Sequence, residues 1–268
     1  MPGQTAARSE PGLSVTADLL RAHGAVDDLP QLDRIQISRG NDRYTSFLRS
    51  TNDWNRFTLL DLLAREYCLV SGELQGLINS RVYVTVEEFW DRNRCRFPDL
   101  GHVIIHRPQP DGKTFKTIRV DVAAMLAAGD CSKDVVLQWG DRVEVPETDH
   151  PVNAKWSGPE AAEIQSLIKC ISRRVALSIK GAPTTLQLAP ECFPSGGINL
   201  NVKPVSFALR SVLDNSARLR ASSDLSRVKV TRREPGSGPS RQWVLDCSGN
   251  NAPDFQVRDG DVIEVPEK

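Results

Sequence analysis

The chain has 268 residues, 40% of them apolar and 25% charged, a balance that suits two folded domains and excludes a mainly disordered or fibrous protein. Its 34 lysines and arginines are matched by 34 aspartates and glutamates, so no overall field favours nucleic acid or an anionic membrane as partner. No apolar run approaches the roughly 18 residues that span a bilayer, the longest, Val122 to Ala128, being broken by Gly129.

The opening MPGQTAARSEPGLSV has no basic stretch followed by an apolar one and does not read as a secretory signal. Residues 1–32 are expected to be a loose segment with one short helix, Ala17 to His23, capped by Thr16 and stopped by Gly24. A first module is expected over 33–150. It begins with a hairpin, Ile35 and Ile37 alternating before a Gly40-Asn41 turn. A helix follows, with Thr58 as cap, Asp61 three residues later and a Phe57 to Leu62 staple, and Leu59, Leu62, Leu63 and Tyr67 then share one face. An insertion near 70–96 carries the alternating RVYVTVEEFW, and strands are expected at Val103 to Ile105 and Val143 to Val145.

Residues 151–171 read as a helical linker. Ser157 and Glu160 have capping-box spacing, and Ile164, Leu167, Ile168 and Ile171 form one apolar face, expected to dock one module on the other. The second module, 172–268, repeats the order: Val175, Leu177 and Ile179 before Gly181-Ala182-Pro183, a helix after Ser206 with Leu209, Val212 and Leu213 inward, then strands Val228 to Val230 and Val262 to Val265. The fold class expected is therefore α+β, two tandem modules of hairpin, helix and strands.

The repeat is visible in the letters themselves. LQWGDRVEVPE, ending at Glu147, and VRDGDVIEVPE, ending at Glu267, are 120 residues apart and agree at six of eleven positions. Asp99, Leu100, Val103 and Arg107 recur as Asp224, Leu225, Val228 and Arg232, and Ile118 to Asp121 is echoed by Trp243 to Asp246. Within the closing motif, Gly140 and Gly260 suit a positive φ and Asp141 and Asp261 can accept backbone N–H bonds, so each pair builds a tight strand entry. Pro146 and Pro266 then end the strand. With no clustered acids or histidines beside them in sequence, both aspartates read as structural.

These motifs resemble the soluble-ligand-binding β-grasp family, whose modules run hairpin, helix, D-L-x-x-V-x-x-x-R, V/L-D and a closing L-x-x-G-D-V-I-x-V-P. Residues 33 to 147 and 172 to 267 match that pattern. The resemblance implies two β-grasp modules of the kind found in bacterial polysaccharide-export proteins, with polysaccharide or envelope subunits as partners in the periplasm or cell envelope. Within the 268 residues no signal or lipid-attachment start, no export domain before the first module and no membrane helix after the second is read, so the expectation includes the soluble part of a longer protein. The G-x-V-x-x-P-G hairpin is represented only by IKGAPTTLQL, so no ligand-contact residue is carried over. The alternative is an intracellular scaffold pairing through exposed sheet edges.

The chemistry-bearing residues are dispersed. His102 and His106, four apart on an expected strand, would share a face, but no third ligand follows, and no metal or other cofactor is expected. No G-x-S-x-G elbow, G-x-G-x-x-G turn or phosphate loop occurs, so the chain is expected not to be an enzyme. The six cysteines form no C-x-x-C pair and read as small buried hydrophobes, with the redox compartment left open. Among five tryptophans, Trp90 is best placed for a sugar face, with Tyr83, Arg92 and Arg94 nearby in the insertion, the competing reading being that these aromatics pack the insertion against the sheet. Residues 201–241 hold nine lysines and arginines against three acids. A strand from Arg227 to Arg233 would place Arg227, Lys229, Thr231 and Arg233 on one face, a candidate for acidic polysaccharide with Arg218, Arg220 and Arg241 flanking. An ordinary solvated face is the competing reading.

Overall fold

The computed structural model describes residues 15–16, 34–39, 43–48, 56–66, 69–70, 84–85, 97–154, 160–195, 199–233, 238–249, 252–253 and 255–268. In chain order the strands are β1 (Val15–Thr16), β2 (Arg34–Arg39) and β3 (Arg43–Leu48), followed by helix α1 (Leu59–Glu66). Next come β4 (Val84–Thr85), β5 (Val103–Pro108), β6 (Phe115–Val120), helix α2 (Val122–Ala128), β7 (Arg142–Val145) and helix α3 (Ala161–Ile171). The remainder is β8 (Arg173–Ile179), β9 (Ala182–Leu188), β10 (Glu191–Ser195), β11 (Asn199–Lys203), helix α4 (Leu209–Asn215), β12 (Val228–Arg233), β13 (Ser240–Leu245) and β14 (Val262–Val265). The fold is mixed α+β. By internal contacts the chain divides into two units, 1–171 with 191–203, and 172–190 with 204–268. The stretch 172–268 is thus interrupted by the β10–β11 hairpin, which pairs with β4 in the first unit.

In the first unit the main sheet runs β1-β3-β2-β7-β5-β6. Strands β2 and β7 are parallel, Ile37 opposite Val143, and β5 is antiparallel to β7 with Ile105 opposite that same valine. Alternation places Ile35, Ile37, Val103, Ile105, Val143 and Val145 in the core, because successive strand side chains point to opposite faces. Helix α1 contributes Leu59, Leu60, Leu62 and Leu63, all buried. Its start is the expected reciprocal cap: Asp61 N–H donates to Thr58 Oγ1 at 3.1 Å and Thr58 N–H donates to Asp61 Oδ2 at 3.3 Å. Helix α2 is capped by Asp121, which accepts Ala124 N–H at 2.8 Å, and it ends at Gly129 with φ 59.

Helix α3 buries Ile164, Leu167 and Ile171 and packs on α1 and α2. Its first turn is tied by Glu160 N–H donating to Glu163 Oε2 at 2.9 Å, while Ser157 lies outside the described residues. Two expectations are corrected in this unit. Thr16 forms part of β1, paired with Thr45, instead of capping a helix, and 17–23 lie outside the described residues. Cys131 and Cys170 are joined in a disulfide with Cα atoms 5.2 Å apart, so these two are a cross-link and not packed thiols. Cys192 and Cys247 are free, the latter buried.

The second unit has the sheet order β13-β12-β14-β8-β9. Taken strand for strand it matches β6-β5-β7-β2-β3, with β8 and β14 parallel and Leu177 opposite Ile263. The hairpin β8–β9 closes through Lys180 (φ 55) and Gly181 (φ 74), two left-handed residues whose twist matches the strands they join. Val175, Leu177, Val228, Val230, Ile263 and Val265 face the core with Leu209, Val212 and Leu213 of α4. Helix α4 has no side-chain cap on its first turn; Ser206 Oγ accepts only the Ala208 N–H at 3.3 Å. Its weaker start follows from Ala208 standing where the first unit has Thr58.

Candidate functional site

The residues shared by both units converge on one construction. Arg107 is the last core-side position of β5, and its guanidinium grips Asp141 with two bonds, Nε to Oδ1 at 3.0 Å and Nη2 to Oδ2 at 2.8 Å. Nη2 also donates to the Val136 carbonyl at 3.0 Å. In the second unit Arg232 donates to Asp261 at 2.8 and 2.7 Å and to the Gln256 carbonyl at 2.9 Å. Each carboxylate closes its own turn by accepting a backbone N–H three residues earlier, from Gln138 or Arg258, both at 2.8 Å. Gly140 and Gly260 supply the required positive φ, 97° and 78°.

The surroundings extend the match. Leu59 N–H donates to Val135 O and Leu209 N–H to Phe255 O, so the strand edge beside each clasp also receives the helix start. Asp99 and Asp224 pair by their N–H groups with Pro146 O and Pro266 O, which fixes the end of each closing strand. Bidentate arginine–carboxylate geometry with every strong acceptor satisfied marks a structural pair, because the groups saturate one another inside the fold. Asp141 and Asp261, expected from the sequence to form turns, close them through the Gln138 and Arg258 N–H groups. Arg107 and Arg232 recur at matching places in the sequence, and the alternation that puts Val228 and Val230 inside also puts Arg232 there.

The proposed basic face is only partly assembled. Lys229, Thr231 and Arg233 do share the open face of β12 beside Gln242 and Val244 of β13 and Val262 and Glu264 of β14. Arg227 belongs instead to a 3₁₀ turn over 225–227, where Asp224 accepts from its Nε at 2.7 Å. The strand begins one residue too late for Arg227 to join that face, because the Asp224 cap winds the chain into the turn. Ser226 and then Arg227 hold the Asp224 carboxyl below its usual range. Lys229 meets Glu264 at 3.1 Å, and Arg233, Arg218, Arg220 and Arg241 are exposed.

Trp90, Arg92, Arg94 and Tyr83 lie outside the described residues, as do Trp54 and Trp156. Trp139 packs edge-on against Phe57 at 6.2 Å, and Trp243 lies 5.4 Å from the Arg232 guanidinium. The shared-strand placement of the two histidines is corrected. His102 is in the 3₁₀ turn 100–102 with Nδ1 at 2.8 Å from Asp99, whereas His106 is on β5 with Nε2 at 3.2 Å from Glu144. His102 and Arg227 occupy equivalent places, each answering the aspartate that caps its turn.

Among the described residues no group of three histidines, cysteines, aspartates or glutamates could hold a metal ion, and no helix is long and apolar enough to cross a membrane. No model of a known protein family matches the chain, and no curated protein matches it either.

Proposed function

We propose that the chain is a tandem pair of β-grasp modules that acts without catalysis, by non-covalent recognition or subunit assembly in a bacterial cell-envelope system such as polysaccharide export. The observation that carries this reading is the doubled sheet order, in which a hairpin's first strand pairs in parallel with the module's last strand and a helix connects the hairpin to the rest. The same Arg–Asp clasp closes both. The Cys131–Cys170 disulfide supports an oxidising compartment over the cytoplasm.

Within this reading, Lys229 and Arg233 on the open sheet face offer contacts to uronate or phosphate groups, and Glu264 limits their net charge. Isothermal titration of the full chain with a polyuronate and with neutral dextran, at low and high salt, tests it. Salt-sensitive binding of the polyuronate supports the carbohydrate role, and binding of neither polymer refutes it. Assembly through sheet edges is the second reading, favoured by β13 standing at the edge of the second unit's sheet.

A further inference from the structure

The main sheet of each unit ends on the second strand of a hairpin, β6 in the first unit and β13 in the second, and among the described residues no strand pairs with the outer side of either. Such a side presents a row of backbone N–H and C=O groups that an added strand can take up. The opposite ends of the two sheets differ: β1 is two residues long and β9 carries no charge.

Strands β6 and β13 carry a cation at the same register. Lys116 stands directly opposite Arg107, and Arg241 directly opposite Arg232. Like charges directly opposite are a destabilising pairing, yet both sheets place one here. Asp141 and Asp261 grip the inner arginines, so the outer cation is the charge that each edge presents. Lys116 and Arg241 are exposed, and neither side chain makes an ion pair or hydrogen bond among the described residues. Arg119 on β6 and Arg233, opposite Ser240 of β13, are exposed as well and add to the charge. No acid occurs in FKTIRV or SRQWVL. The first acid after each strand is turned back on its own chain, Asp121 accepting the Ala124 N–H at 2.8 Å and Asp246 the Ser248 N–H at 2.9 Å. Two residues along from each cation, on the same face, Ile118 and Trp243 are half-buried.

We propose, resting on the reading of sheet edges as the assembly surface, that β6 and β13 are equivalent docking edges, each taking up an extended acidic segment of a partner protein as an added strand. Backbone pairing supplies the attraction, and side chains at every second residue supply the choice. An acid on the face shared with Lys116 or Arg241 meets the cation, and an apolar residue two positions away covers Ile118 or Trp243. A second copy offers no such match, since either edge set against itself or the other brings basic strands together without an acid.

Fluorescence anisotropy of the full chain with a labelled, end-blocked peptide Glu-Thr-Val-Thr-Glu-Thr-Val tests the docking edges, beside the same peptide with Gln for Glu and with alternate backbone nitrogens methylated. The acidic peptide should bind, less well at high salt, and both altered peptides should bind about tenfold more weakly or worse. Lys116→Ala/Arg241→Ala should lose the preference for Glu over Gln, and an unchanged preference in that variant overturns the role of the two cations. Equal binding of the Gln peptide to the parent overturns the acidic partner and leaves edge pairing standing. Equal binding of the methylated peptide overturns strand addition in favour of charge attraction alone. Binding of none of the three overturns both the docking edges and the sheet-edge reading.

Discussion

The two units close their sheets with the same three bonds and differ in what covers them. Arg232 is 3% exposed, with its guanidinium 5.4 Å from the Trp243 ring and 4.8 Å from Phe255. Arg107 is 17% exposed, because Ile118 and Val135 stand where the second unit has Trp243 and Phe255. Both aspartates are fully buried. Identical geometry in unequal dielectric surroundings means unequal dependence on the partner, since a charge stranded away from water has no solvent to fall back on. The first unit has a second tie that the other lacks, the disulfide between the turn after α2 and the end of α3.

Arg232→Ala should break the comparison most sharply. It leaves Asp261 buried without its cation, at a cost of about 3–5 kcal/mol, whereas Arg107→Ala should cost roughly 1–3 kcal/mol because water can reach the vacated position. Urea unfolding followed by tryptophan fluorescence and far-ultraviolet dichroism measures both. Reversed magnitudes would show that aromatic cover is not what separates the clasps.

The cross-link should come next. Cys131→Ser/Cys170→Ser opens a loop of 39 residues, for which chain entropy sets a loss of at most about 4 kcal/mol. The loss should appear in the amide exchange of α2 and α3 and leave β12 to β14 as they were. Uniform loss of protection throughout would contradict a tie confined to the first unit.

Gly260→Val isolates the turn. A Cβ there meets nothing within 4 Å, so the cost is backbone strain at φ 78, about 1–3 kcal/mol. An unchanged melting temperature would mean that the turn relaxes. The smallest effect belongs to Lys229→Ala. Its ion pair with Glu264 is exposed on both sides, so stability should change by less than about 0.5 kcal/mol, and a larger loss would show that the open face is structural.

Much of this architecture was legible because burial and alternation leave marks in the letters. The paired glycines and aspartates, the Thr58–Asp61 cap and the inward valines could all be read locally. What was hidden depends on distance along the chain. The Arg–Asp pairing joins residues 29 or 34 apart, and Cys131 and Cys170 meet only because α3 packs beside α2. The hairpin 191–203 was invisible as a member of the first unit because its partner strand is two residues long. Arg227 falls one residue short of the strand, because the Asp224 cap starts a 3₁₀ turn over 225–227 where periodicity alone would already start a strand.

Double-mutant cycles on the two clasps, Arg107→Ala with Asp141→Ala and Arg232→Ala with Asp261→Ala, test the central claim most directly. In each cycle the two single variants should lose more together than the double variant does, with a coupling of about 2 kcal/mol or more at Arg232–Asp261 and less at Arg107–Asp141. Additive losses in both cycles would contradict the account, since the repeated pair would then not be what closes either sheet.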